Sequence, residues 1–308
     1  MSSKTSRQVR LIVVGLVLIA AVLMIAAVPF ITDSMLNPIL KGQVARIEKL
    51  QSLGTPEGNA QAAVIKIVPW SIGFFFPFWT ALTFVAGFAL FAVALPLYRG
   101  ETWARGAALL ALAMPSIAGA FMLVPWMNFV GSEQGGFPPA VLTMFIGLIP
   151  YFAIILAEKS SWAYKAANGL VFLMLGVSAA ENFANGHAAF RIYYGHTQRP
   201  LFAPEVSVLW LSFIVLWITS AMLIVAIYKM GERKPGAWYL AITAGLATFA
   251  ASLATHYVRH ATNDYMYGAL MGLSIVVLLV LPVVKKNLFA KPEEVEAEQK
   301  RIAKAQPA

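Results

Sequence analysis

The chain has 308 residues, of which 59% are hydrophobic and only 12% are charged, and its net charge is +9. A soluble domain usually carries about 25% charged residues, and here the apolar residues form long unbroken blocks, so the composition excludes a water-soluble globule and predicts a protein embedded in a lipid bilayer. The absence of cysteine excludes disulfides, thiolate catalysis and iron–sulfur clusters. Because most of the positive charge lies in short loops beside the apolar blocks, topology explains it, and nucleic-acid binding is not expected.

Eight apolar blocks predict an all-α integral membrane protein, a bundle of about eight transmembrane helices. Each block can cross about 30 Å of hydrocarbon as a helix, which satisfies its own backbone hydrogen bonds. The first block follows Lys4, Arg7 and Arg10, but it is longer than a signal-peptide core and no small-x-small site follows it, which favours an uncleaved helix. The blocks cover residues 9–31, 71–97, 105–130, 138–157, 166–187, 206–229, 237–258 and 265–284.

The loop charges predict that both termini are cytoplasmic in an inner (plasma) membrane. This orientation places 16 of the 23 lysines and arginines on the cytoplasmic side and 7 on the outer side, as the positive-inside rule requires. Trp103, Trp162 and Trp238 then mark inner helix ends, and Trp70 and Trp126 mark outer ones, which is typical of interfacial aromatic belts.

The domain organisation is predicted to be a bundle over residues 1–286 and a polar cytoplasmic tail over 287–308. The outer loop, residues 32–68, belongs to the bundle. Helical spacing of its apolar residues predicts an amphipathic helix on the outer membrane surface, with the stripe Leu36, Leu40, Val44 and Ile47. Thr55 is expected to cap a second helix with Pro56 in its first turn. The loop either shields the bundle or docks a partner, and the tail is either solvated or a docking helix.

The second to fourth predicted helices are rich in prolines and aromatic residues, whereas the fifth to seventh have no interior proline. The two halves therefore show no paired helix breaks, which weakens the interpretation as a transporter built from repeats. The second helix also carries an aromatic cluster that predicts a packing or lipid-facing surface, or the wall of a hydrophobic ligand groove: Phe74, Phe75, Phe76, Phe78 and Trp79.

Glu181 is about the sixteenth residue of the fifth predicted span, which begins at residue 166, so it still lies below the outer interface of the membrane. An acidic group at that depth is costly and predicts a functional site. Asn185 is one turn further and shares its helix face. Protonation, or a pair with Arg191 or Arg259, would lower the cost, and the alternative is a polar network that joins the helices.

All four histidines, His187, His196, His256 and His260, fall on the outer side in this topology. His256 and His260 are one helical turn apart, and Asp264 is a further turn along. Two imidazoles and a carboxylate are typical of a non-haem iron site or a similar metal site. Asp264 and its neighbour Asn263 could instead cap the eighth helix.

Two cofactor models follow from these residues. In the first, a copper, zinc or iron ion is held by His256, His260 and either His187 or Asp264. In the second, His187 and one histidine of the later pair clamp a haem b. Both models require the fifth and seventh helices to be neighbours. Without a cofactor, the histidines and nearby tyrosines could bind a quinol headgroup or a small solute.

Three functional hypotheses remain open. The first is a membrane subunit that binds a metal ion or haem near the outer face, within a respiratory or membrane oxidation complex. The second is a transporter or channel for a small solute or ion that uses Glu181. The third is an accessory subunit without chemistry of its own. Lipid is the expected solvent in all three, and other membrane subunits are expected partners in the first and third.

Overall fold

The computed structural model describes residues 6–131, 136–158, 160–195, 204–259 and 262–289, together with residue 297. Within these ranges the chain folds into helices and contains no strand. The helices are α1 (Arg7–Ala26), α2 (Val28–Ser52), α3 (Pro56–Ile65), α4 (Val68–Arg99), α5 (Thr102–Trp126), α6 (Ala140–Leu156), α7 (Trp162–Gly195), α8 (Pro204–Gly231), α9 (Gly236–Val258), α10 (Asp264–Val280) and α11 (Pro282–Phe289), and a π-helical turn (Met127–Gly131) extends α5.

Local sequence signals explain several of the helix ends. Thr55 caps α3, since its Oγ1 accepts a hydrogen bond of 3.0 Å from the backbone N–H of Gly58, and Pro56 occupies the first turn. The predicted cap is therefore confirmed. Gly100 ends α4 with a φ of 86°, a left-handed conformation that glycine adopts without a steric penalty.

The predicted multi-pass membrane bundle of helices is confirmed, with about six long apolar helices. Six helical segments are long and apolar enough to cross a membrane: Arg7–Ala26, Pro56–Arg99, Thr102–Gly131, Trp162–Gly195, Ser207–Gly231 and Gly236–Val258. α10 and α11 pass the same test only as a pair that is bent by 77°, and α6 is a shorter apolar helix of 17 residues. The count of eight spans and the side on which the termini lie remain predictions.

The outer loop is helical, but its buried face differs from the predicted stripe. α2 packs against α4, α5 and α6, and the side chains that it buries are Val28, Thr32, Met35, Ile39 and Gln43. The predicted stripe lies one position further along, where Leu36 and Leu40 are half-buried and Val44 is exposed. The predicted stripe therefore lies beside the face that packs on the bundle, and its placement on the membrane surface remains a prediction. At the other end of the chain, α11 continues past the predicted boundary at residue 286, and residues 290–296 and 298–308 of the tail lie outside the described ranges.

Within the described ranges, α7 contacts six other helices of the bundle, namely α3, α5, α6, α8, α10 and α11. It is also longer than predicted, with 34 residues, so that Glu181 lies about 21 Å from its C-terminal end at 1.5 Å per residue. The polar side chains of α7 consequently reach several neighbouring helices within the apolar core.

Candidate functional site

Glu181 and Asn185 form the centre of a polar site in the C-terminal half of α7. Together with Asp264 and Tyr265 they make up what we name the outer polar site, after the side on which the predicted topology places it. The Asn185 side chain donates hydrogen bonds of 3.1 Å both to Glu181 Oε1 and to the backbone carbonyl of Asp264. The Tyr265 hydroxyl donates a bond of 3.3 Å to the backbone carbonyl of Asn185. Asn185 and Tyr265 are buried, and Glu181 is half-buried. The start of α10 is thus attached to the face of α7 that carries the carboxylate.

The partners of Glu181 differ in part from the sequence-based alternatives. Its hydrogen-bond donor is Asn185 rather than either of the arginines considered, among the residues that the structure describes. Asp264 begins α10 directly after Asn263, whose side chain makes no capping hydrogen bond. The expected side-chain cap at Asn263 is therefore absent. Asp264 contributes its carbonyl to the outer polar site instead.

A second set of buried polar groups lies one turn from Asn185. The Asn182 side chain donates hydrogen bonds of 2.9 Å to Thr219 on α8 and 2.7 Å to Thr248 on α9. The cofactor models require the fifth and seventh predicted helices, which are α7 and α9, to be neighbours. The two helices are in contact through the Asn182 side chain. Asn182 Oδ1 and Ser252 Oγ are buried and have no hydrogen-bond partner among the described atoms. These acceptor-bearing groups form a polar core between α7, α8 and α9.

Gly268 on α10 permits the outer polar site to meet this polar core. A Cβ atom at Gly268 would lie 2.9 Å from Ser252 Oγ and 3.2 Å from Asn185 Nδ2. Such distances are shorter than ordinary contacts, so a side chain at this position would push the two polar groups apart. The glycine therefore lets α10 approach both α7 and α9.

His187 lies on the opposite side of α7 from this site. Its Nε2 is 2.9 Å from the Ser71 hydroxyl of α4, and its ring packs edge-on between Phe75 and Phe121, with centroids 5.6 and 5.5 Å away. His187 is buried among these groups. Its partners belong to α4 and α5 rather than to α9.

The proposed metal set can be located only in part. His256 is half-buried near the end of α9, and Asp264 is exposed at the start of α10. His196 and His260 lie outside the described residues. Among the residues that are described, no three His, Asp or Glu side chains are grouped closely enough to hold a metal ion. The metal and haem models therefore stay predictions, since His260 is a ligand in most of them.

Comparison with known proteins gives no indication of the function of this site. No protein family, no curated protein and no solved structure matches the chain significantly. The contacts of the buried polar groups are consequently the observations on which a function can be based.

Sequence reasoning missed a buried ion-pair cluster at the other end of the bundle, which we name the inner ion-pair cluster: Arg105, Glu158, Tyr164 and Arg233. Glu158 is fully buried, and its Oε1 lies 3.1 Å from Arg105 Nε and 2.7 Å from Arg233 Nη2. The Tyr164 hydroxyl donates a bond of 2.7 Å to Glu158 Oε2. The cluster joins the start of α5, the α6–α7 connection and the α8–α9 connection.

The electrostatics of Glu158 follow from these neighbours. Burial by itself raises the pKa of the Glu158 carboxyl, but Arg105, Arg233 and the Tyr164 hydroxyl outweigh burial and hold the pKa below its ordinary value. Glu158 is therefore ionised at neutral pH. In the sequence these charges resemble interfacial loop charges that serve only orientation, because Glu158 and Arg233 are 75 residues apart and nothing local pairs them.

Proposed function

We propose that this chain is a membrane transporter that moves a proton or a small cation through the outer polar site, with Glu181 as the group that binds the charge. The observation that carries the proposal is the contact of the Glu181 carboxylate with Asn185, more than a helical turn inside a long apolar helix. An acidic side chain at membrane depth is costly to retain unless it serves a charged species or a proton. Its partner is a neutral amide, so the carboxylate has no described counter-ion that would already neutralise it.

The neighbouring polar core supports the same function. Asn182 and Ser252 present buried oxygen atoms that lack partners among the described groups. Ser252 Oγ and the Asn185 amide that binds Glu181 lie on either side of Gly268, 2.9 and 3.2 Å from its Cβ position. Oxygen atoms of this kind replace the hydration shell of a cation or relay a proton. The route would run from the outer surface at α10 to the interior between α7, α8 and α9.

The proposed topology places this site toward the outside of the cell. We propose eight crossings, in which α6 and the bent α10–α11 pair complete the six long spans, with both termini in the cytoplasm of an inner membrane. The support is the loop-charge bias and the position of the interfacial tryptophans. In this orientation the inner ion-pair cluster lies at the cytoplasmic side.

The experiment uses the purified chain in liposomes that contain a pH-sensitive dye. A potassium diffusion potential, negative inside, should drive protons into wild-type vesicles, and Glu181→Gln should abolish this flux because the amide neither binds nor releases a proton. Glu57→Gln is the matched control, since Glu57 is exposed on α3 and makes no contact with the outer polar site. Wild-type flux in the Glu181→Gln vesicles, or no flux in wild-type vesicles, would contradict proton movement through Glu181.

A further inference from the structure

A small cavity lies between α4, α5, the π-helical turn and the face of α7 that carries His187. Its volume is about 40 Å³. One water molecule needs about 10–15 Å³ by this measure, so the cavity has room for about three water molecules or one small polyatomic ion. Val124 and Asn128 line the cavity and are exposed, so it opens to the surface. The proposed topology places this end of the bundle outside the cell.

The polar side chains of the cavity wall come from two elements. Arg191 and His187 are one turn apart on α7, and Asn128 belongs to the π-helical turn. His187 Nε2 already contacts the Ser71 hydroxyl at 2.9 Å. The Arg191 guanidinium and the Asn128 amide both donate hydrogen bonds, and the guanidinium has no acceptor atom. The wall is therefore suited to a ligand that accepts hydrogen bonds.

Positive charge is concentrated around this cavity. The charged groups that act on Arg191 among the described residues are Arg259, Arg46 and Asp264, so three arginines stand against one carboxylate there. The guanidinium carbon of Arg46 lies 5.8 Å from the ring centroid of Phe129, which is part of the cavity wall. The ion pairs of the described residues involve none of these arginines. The described groups thus leave a net positive charge at the cavity.

Part of this charge is removed from water. Arg191 Nε and Arg259 Nη1 are buried and have no hydrogen-bond partner among the described groups. Like charges repel one another more strongly in such surroundings, because the local dielectric constant is lower than that of water. A bound anion would offset the repulsion. Arginine pairs with oxyanions through parallel N–H···O bonds, and an oxyanion has several acceptor atoms to meet donors from different sides of a cavity.

We propose that this cavity binds an oxyanion of the phosphate class between Arg191 and Asn128, with Arg46 beside it, either as a free ion or as the headgroup of an anionic phospholipid. The excess of positive charge selects against cations and against neutral apolar molecules. The exposed mouth admits an ion from water or a headgroup from the membrane surface. The proposal concerns binding and is independent of ion movement through Glu181.

The test is equilibrium dialysis of radiolabelled inorganic phosphate against the full chain in dodecyl maltoside, a detergent without phosphate. About one phosphate should bind per chain. Arg191→Gln should weaken binding at least tenfold, since it removes a charge-assisted hydrogen bond, and Arg46→Gln at an exposed position should weaken it about two- to tenfold. Lys286→Gln is the matched control, because it removes the same charge from an exposed position on α11 that does not line the cavity, and it should leave binding unchanged.

Ala188→Leu tests the cavity separately from the charge. Ala188 is half-buried in the cavity wall, and a leucine there would fill the space without altering any charge. It should weaken phosphate binding at least tenfold. The unfolding temperature of each variant, measured beside that of the wild type, identifies the variants that remain folded, and Arg46→Gln changes only an exposed side chain.

Native mass spectrometry distinguishes the two sources of phosphate. If the occupant is a headgroup, the wild type should retain phosphatidylglycerol that Arg191→Gln lacks, and if it is a free ion, the wild type should bind inorganic phosphate and retain no such lipid. The proposal is overturned if the wild type neither binds phosphate nor retains an anionic phospholipid. It is also overturned if Ala188→Leu binds phosphate as tightly as the wild type, or if Lys286→Gln weakens binding as much as Arg46→Gln, since phosphate would then associate only with diffuse surface charge.

Discussion

Arg233 and Glu158 are 75 residues apart in the chain, yet Arg233 Nη2 donates hydrogen bonds of 2.7 and 2.8 Å to the two carboxylate oxygens of Glu158. Arg233 has a φ of 61°, and it is the one non-glycine residue with a positive φ in the described ranges. A left-handed backbone at a non-glycine residue costs about 1 kcal/mol or more and persists where the surroundings hold it. The Glu158 carboxylate holds Arg233 in this conformation and thereby links the α8–α9 connection to the α6–α7 connection.

Glu158→Gln should strongly destabilise the protein, by about 3–5 kcal/mol, because it leaves two arginines near a fully desolvated amide. Arg105 is only 2% exposed and would lose its sole carboxylate among the described residues. The measurement is thermal unfolding of the detergent-solubilised protein by tryptophan fluorescence. Glu57→Gln, at an exposed position, should unfold at the wild-type temperature. Equal unfolding temperatures for the two variants would show that the cluster contributes nothing to stability.

The same carboxyl should make stability depend on pH. Its pKa is lower in the folded protein than in the unfolded chain, where a glutamate has a pKa of about 4.3. The stabilisation is therefore fully present above the unfolded pKa and is lost as the pH falls through the folded pKa. Unfolding temperatures measured between neutral and acid pH should converge for wild type and Glu158→Gln. A constant difference between them down to the most acid pH would contradict the assignment.

Gly106→Ala should destabilise the contact between α5 and α8 beside the inner ion-pair cluster. A Cβ atom at Gly106 would lie 2.5 Å from the carbonyl oxygen of Tyr228, which is backbone and cannot rotate away. The expected loss is about 1–3 kcal/mol, as for other overpacked sites. Gly169→Ala is the control, since nothing lies within 4 Å of its Cβ position on α7, and alanine there should be neutral or slightly stabilising. If Gly106→Ala unfolds at the same temperature as the wild type, α5 and α8 can move apart at this contact without a loss of stability, and the prediction is wrong.

The membrane orientation can be tested directly because the chain has no cysteine. Gln51→Cys on α2 and Gly236→Cys at the start of α9 are exposed positions. If the termini are cytoplasmic, a membrane-impermeant maleimide added to intact cells should label position 51 and not position 236. Inverted membrane vesicles should give the opposite result. Labelling of position 236 from outside would reverse the proposed orientation.

The metal and haem hypotheses predict a stoichiometric cofactor in the purified protein. An absorption spectrum should then show a Soret band, or elemental analysis should find about one copper, zinc or iron ion per chain. His256→Ala should remove it, whereas Ser71→Ala, which affects only the hydroxyl partner of His187, should not remove a metal bound at α9. A protein without a Soret band and without bound metal would end both hypotheses.

Much of the fold could be predicted from the sequence because each membrane helix satisfies its own backbone and is recognised by its local composition. The apolar blocks, the Thr55 cap and the charge bias of the short loops are local features of this kind. The face that α2 buries could not be predicted, because it depends on which helix lies beside it. The structure makes α7 longer than the sequence predicts, since its C-terminal end carries the polar residues that usually mark a loop.

The sequence by itself determined that lipid is the solvent of this chain and that Glu181 and Asn185 share one face of one helix. Only the tertiary structure decided which of the polar residues meet. It joined Asn182 to α8 and α9, turned His187 toward α4, and buried Glu158 between two arginines from distant connections. The reason is physical: composition and helical period fix what a single helix is, whereas the pairing of charges and amides depends on packing between helices that the sequence separates by many residues.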